Sequence, residues 1–81
     1  MANHAKLINA MRAKPHDWQI IHMLVISDRL GMECRNHGGS HHVFSYPGVE
    51  TRVSVPAHRP LKPVYVRKFL ELIDAVMDLK S

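Results

Sequence analysis

Residues 31–56 decide the fold, and they run GMECRNHGGSHHVFSYPGVETRVSVP. Two pairs of turn-forming residues, Gly38-Gly39 and Pro47-Gly48, divide this stretch into three pieces. Apolar and polar residues alternate in each piece, which is typical of strands that bury one face. The stretch therefore predicts three short antiparallel strands, at about 32–36, 40–46 and 51–55.

The alternation also predicts which side chains face solvent. If Phe44 packs inward, the period of two sends His41 outward and His42 inward, toward the edge of the core. In the third strand, Val53 and Val55 then face inward. The outward face is expected to collect four polar side chains: His41, Ser45, Arg52 and Ser54.

Helical patterns flank the predicted sheet. Residues 18–30 are apolar on nearly all sides, with Asp17 placed as a helix N-cap and Gly31 as the C-cap residue. A buried strand is the alternative there, because the segment is rich in β-branched residues. A helix apolar all round must be buried on more than one side, so either the first helix or another chain covers it.

The two ends of the chain complete an α+β domain spanning residues 1–81. A weak, peripheral helix is predicted between Asn3 and Lys14-Pro15. A final helix opens at Pro63 and shows close helical spacing. Its predicted inward positions are Val66, Phe69, Leu70, Ile73, Val76 and Met77.

Composition narrows the class of protein. The chain has 81 residues, a net charge of +4 and a single cysteine, Cys34, so a disulfide framework is excluded. No segment has the layout of a signal peptide, and the longest apolar stretch is too short to span a bilayer. We expect a cytoplasmic protein that does not enter a membrane. A core this small gains from a partner, so a homo- or hetero-oligomer is a reasonable expectation.

Basic residues follow one another without an intervening acidic residue from the third predicted strand into the final helix. Between Glu50 and Glu71 there are five of them and no acidic residue. Those around the start of the final helix oppose its dipole, which suggests a phosphate ligand held by backbone N–H groups and basic side chains. The alternative is that they only solvate the helix end. The five residues are Arg52, Arg59, Lys62, Arg67 and Lys68.

The segment GGSHH, residues 38–42, is the other candidate for chemistry. A histidine on an open sheet face can transfer protons near neutral pH, although a structural role is common for strand histidines. Cys34, His37 and His41 have zinc-like spacing, but one cysteine is available and strand alternation separates Cys34 from His37. No acidic residue is evidently placed for a Ser-His-Asp triad. We therefore expect no metal and no cofactor.

Three segments together resemble the HicA toxins of bacterial and archaeal toxin–antitoxin systems: GSHHVF at 39–44, VSVPAH at 53–58 and LKP at 61–63. The resemblance is sharpest over residues 38–73. It implies a fold like the double-stranded-RNA-binding domain, ribonuclease activity on mRNA, and silencing by a HicB-type antitoxin. Two features depart from the family pattern, an additional N-terminal helical segment at residues 1–15 and a longer last helix.

The resemblance also implies roles for individual residues. The family's catalytic histidine falls on His41, and His58 is a second candidate for proton transfer. The expected contacts to RNA phosphates are Ser40, Arg52, Arg59, Lys62, Arg67 and Lys68. Two other functions stay open: a non-catalytic RNA-binding module, and a protein-interaction domain that uses the apolar surface of residues 18–26.

Overall fold

A computed structural model describes residues 4–36, 39–57 and 60–80. Within them the chain forms two helices, a three-stranded antiparallel sheet and a C-terminal helix, which confirms the predicted α+β class. The elements are α1 (His4–Ala13), α2 (Ile20–Leu30), β1 (Glu33–Arg35), β2 (His41–Tyr46), β3 (Val49–Pro56) and α3 (Pro63–Lys80). The likeness to a double-stranded-RNA-binding domain stays a prediction.

The sheet has the strand order β1-β2-β3, and its register centres on Phe44, which lies between Cys34 and Val53. Phe44, Val53 and Val55 are buried, as the alternation predicts. The hairpin turn is Pro47-Gly48, where Gly48 has a φ of 91°. A type II turn needs such a positive φ at its third residue, and glycine adopts it without strain.

A β-bulge interrupts the pairing of β2 with β3. Phe44 pairs with Val53 and Tyr46 pairs with Val49, so the single residue Ser45 lies opposite residues 50–52. The bulge lets β3 begin at Val49, two residues before the predicted strand. Bulges redirect the side chains they carry, and Arg52 lies in this one.

The core forms between the inner face of the sheet and the helices. α3 packs against β2 and β3, α2 packs against β1, and the Phe44 ring meets the Phe69 ring edge-on with centroids 5.0 Å apart. In α3 the predicted inward positions are buried except Met77, which is 40% exposed, and Leu72 is buried as well. The face of α3 that packs on the core therefore includes Leu72 and leaves out Met77.

α1 is not the peripheral element that the sequence suggests. Met11 is fully buried and Ile8 nearly so, because α1 packs against both α2 and α3. An ion pair between Arg12 and Asp74 joins α1 to α3 at the surface. The first helix of the same chain therefore covers part of α2. Ile21 of α2 is 54% exposed, so α2 is not buried on all sides.

α2 begins two residues later than predicted, and Asp17 is not its cap. The N-cap is Gln19, which exchanges hydrogen bonds with His22 in a capping box. Trp18 lies outside the helix because its indole N–H donates to the Lys14 carbonyl at 2.6 Å and its own carbonyl accepts from Leu61 N–H at 2.8 Å. The C-cap is Gly31, as predicted, with a left-handed φ of 74°.

We predict that Met11→Ala lowers the free energy of unfolding by about 2–5 kcal/mol, because it removes a fully buried side chain from the contact of α1 with α2 and α3. Asn9→Ala, at an exposed position of the same helix, is the matched control and should change it by less than about 0.5 kcal/mol. Urea denaturation measures both. Equal effects would mean that α1 is dispensable for the core.

Candidate active site

The face of the sheet opposite the core is open, since the helices that the structure describes pack on the inner face. It carries polar side chains from all three strands, and the predicted outward residues are among them. The residues that strand alternation places on this face are Glu33, Arg35, His41, Val43, Ser45, Arg52 and Ser54. Any long ligand that binds the open face can therefore contact all three strands.

His41 is the first residue of β2 and is exposed. Its backbone is held in place because His41 pairs with Pro56 and the preceding Ser40 carbonyl accepts a hydrogen bond from Ala57 N–H at 2.7 Å. Within the described residues its imidazole has no hydrogen-bond partner. The ring is thus anchored at Cα, and no described residue occupies the ring nitrogen that would exchange a proton with a substrate.

His42 has the opposite surroundings. It is half-buried on the inner face, the Asn36 side-chain nitrogen lies 3.0 Å from its Nε2, and its buried Nδ1 has no hydrogen-bond partner in the described structure. The prediction of a core-edge histidine is confirmed. The two adjacent histidines therefore do not share one site.

The start of α3 lies at the same end of the sheet as His41. At the other end of α3, Leu79 approaches Gly48 of the hairpin turn and the Lys80 ammonium lies 5.5 Å from the Tyr46 ring centroid. α3 therefore runs antiparallel to β3, and its first residues lie near the Pro56 and His41 end. Lys62 precedes Pro63 there and is exposed.

The backbone at the start of α3 offers fewer free donors than predicted. Pro63 has no N–H, and the N–H groups of Tyr65 and Val66 donate to the Lys62 carbonyl at 3.0 and 3.4 Å. A phosphate at this helix end would consequently depend on side chains such as that of Lys62 rather than on a cluster of backbone amides. The phosphate at this helix end stays a prediction.

Arg67 and Lys68 do not form one patch. Successive helix residues point about 100° apart, and Arg67 shares its side of α3 with Glu71 and Asp74. Asp74 pairs with Arg12, so this side leads toward α1. The structure thus separates Arg67 from Lys68, although both are exposed.

Arg52 is also separated from His41. Pro56, the partner of His41, lies four residues after Arg52 along β3, a distance of about 13 Å at about 3.3 Å per residue. Arg52 lines a shallow cavity of about 350 Å³ beside the hairpin turn. The open face therefore carries His41 at one end and Arg52 at the other.

Sequence analysis missed Arg35 as a candidate. Arg35 lies on β1 opposite Val43 and lines a smaller cavity of about 90 Å³ together with Arg52. The alternation of side chains along a strand could have identified it. Cys34 faces inward, so the adjacent Arg35 faces outward. Two other predicted site residues, His58 and Arg59, lie outside the described residues.

Residues 4–36, 39–57 and 60–80 contain no group of three or more His, Cys, Asp and Glu side chains that could hold a metal ion. Cys34 is half-buried, and burial raises the pKa of its thiol. A raised pKa favours the protonated thiol, which is a poor nucleophile and a poor ligand.

No described helix combines the length and apolar character needed to cross a membrane.

Comparison with protein-family models matches residues 26–75 to the family described as "HicA toxin of bacterial toxin-antitoxin". The match runs from within α2 to within α3 and includes the whole sheet. It defines the class of the protein as the toxin of a toxin–antitoxin pair. Since it covers more than half of the 81 residues, the chain belongs to the HicA toxin family. Comparisons with curated proteins and with solved structures gave no match.

We predict different effects on stability for alanine at the two adjacent histidines. His41→Ala should change the free energy of unfolding by less than about 0.5 kcal/mol, because the ring is exposed. His42→Ala should cost about 1–3 kcal/mol, because its ring is half-buried and in contact with Asn36. Urea denaturation distinguishes them, and a larger loss at His41 would contradict the assigned strand register.

Proposed function

We propose that this HicA toxin is an endoribonuclease that cleaves mRNA without a metal ion, with His41 as its catalytic residue. The observation that carries the proposal is an exposed histidine with a fixed backbone at the end of the sheet where Lys62 and α3 begin. Proton transfer and charge stabilisation are the two contributions that phosphodiester cleavage by the neighbouring 2′-hydroxyl requires.

In the proposed reaction the RNA 2′-oxygen forms a bond to its adjacent phosphorus, and the bond from phosphorus to the 5′-oxygen breaks. His41 takes the proton of the 2′-hydroxyl or gives a proton to the leaving 5′-oxygen. Positioned proton transfer supplies about 10²–10⁴-fold in rate. The ammonium of Lys62 stabilises the charge that develops on the phosphate, a contribution of comparable size.

Other predicted residues take supporting roles in the proposal. His58 would carry out the second proton transfer, and Arg59 would bind the same phosphate as Lys62. Ser40 and Lys68 would contact RNA near His41, and Arg52 would contact it at the far end of the face. Arg67 lies on the side of α3 that carries Glu71 and Asp74, away from Lys68, and would contact only a longer RNA.

Regulation follows from the same face. A HicA toxin pairs with an antitoxin, and we propose a HicB-type protein in the cytoplasm that covers His41. A basic, open surface favours an acidic partner, because complementary charge speeds association and selects against other partners. Apolar residues near the face would then slow dissociation.

We predict that the purified protein cleaves single-stranded RNA in the presence of EDTA, and that His41→Ala reduces the rate by at least about 10²-fold while RNA affinity is retained. Gel analysis of a labelled RNA measures cleavage, and fluorescence anisotropy measures affinity. His42→Gln is the control for a histidine on the inner face. RNA binding without cleavage by the native protein would favour a non-catalytic RNA-binding module.

We predict that Lys62→Ala weakens RNA binding for all sequences and lowers the slope of log affinity against log salt by about 0.7, the value for one single-strand phosphate contact. Arg67→Ala, which removes the same charge from the side of α3 that carries Glu71 and Asp74, should have a smaller effect. Titrations at several salt concentrations measure the slopes. Equal slopes in both variants would assign Lys62 to solvation of the helix end.

A further inference from the structure

We propose that Arg35 and Arg52 form a second phosphate-binding site on the open face of the sheet. It would bind a backbone phosphate of the same RNA whose cleavage we assign to His41, so it rests on the proposed function. Arg35 lies on β1 and Arg52 in the bulge of β3, on either side of the central strand β2.

The two arginines converge on one small cavity. Both line the space of about 90 Å³ above β2, whose remaining walls are Glu33, Val43 and Ser45. A guanidinium donates in a fixed fork that matches two phosphate oxygens, and the Ser45 hydroxyl adds a further donor. The cavity therefore offers donors from all three strands to one anion.

Neither arginine has a polar side-chain partner within the described part of the chain. Arg12 has its partner Asp74, whereas Arg35 and Arg52 have no ion pair or side-chain hydrogen bond there. Glu33 lines the same cavity but forms no ion pair with either of them. The three side chains sum to a charge of +1, which leaves a positive potential for a phosphate.

The spacing from His41 suits one continuous RNA strand. Ser45 lies four residues after His41 on β2, about 13 Å along the strand. Phosphates along a stacked strand rise about 3.4 Å each and lie farther apart when the strand extends, so the separation corresponds to about two to four nucleotides. Val43 lies between His41 and Ser45 on the same face of β2. It is apolar and half-buried, so a base or ribose can pack against it.

The experiment measures binding of RNA that carries 2′-O-methyl groups and therefore cannot be cleaved through its 2′-hydroxyl. Anisotropy titrations compare a dinucleotide with an oligonucleotide of about eight residues in Arg35→Ala, Arg52→Ala and the double variant. The matched control is Arg29→Ala, which removes the same charge from an exposed position on α2. Circular dichroism confirms that each variant is folded.

We expect each single variant to weaken binding of the longer RNA by about threefold to tenfold, with no effect on the dinucleotide. The double variant should lower the slope of log affinity against log salt by about 0.7. Its loss of RNA affinity should be smaller than the product of the two single losses, because both side chains bind one phosphate. Arg29→Ala should bind as the native protein does.

The variant Glu33→Gln distinguishes between a phosphate and a base as the group that binds in this cavity. For a phosphate, removing the carboxylate should strengthen binding by about twofold to threefold, since a repulsive charge is lost. Weaker binding would mean that Glu33 accepts hydrogen bonds from a base, and the phosphate assignment would be wrong. Arginine variants indistinguishable from Arg29→Ala would also overturn the second site. Because the RNA is not cleaved in these titrations, failure of His41 catalysis leaves their outcome unaffected.

Discussion

The pairing of β2 with strands on both sides, fixed by Phe44 against Phe69, is the constraint on which the rest of the structure depends. A strand has two faces, and a shift of one residue would exchange them completely. Phe44 is fully buried, so the faces of every other residue in β2 follow. His41 lies three residues before the buried Phe44. It therefore lies on the opposite face of β2 and is exposed.

That constraint explains which features could be predicted from sequence. The outward position of His41, the inward position of His42 and the Pro47-Gly48 turn all follow from a period of two and from glycine's tolerance of positive φ. The final helix was equally predictable, because its apolar stripe is long. Met77 is the exception, because it lies at the edge of the apolar stripe. There, helical spacing alone does not separate a buried position from an exposed one.

Features that depend on contacts between distant segments could not be predicted. Gln19 rather than Asp17 caps α2 because Trp18 is held by Lys14 on one side and by Leu61 on the other. The grouping of Arg35 with Arg52 depends on the bulge in β3, which is not visible in local sequence.

The segment before the family match strengthens the core without reaching the open face. The match begins at residue 26, yet Ile8 and Met11 of α1 belong to the same hydrophobic cluster as Phe44. A domain of this size leaves much of its surface exposed, so an added helix supplies a large share of its burial. α1 packs against α2 and α3, on the core side of the sheet, and Arg12 and Asp74 neutralise each other there. The arginines of the open face, by contrast, have no ion-pair partner among the described residues, so the ion pair that joins two elements lies on the side of the sheet that carries the core.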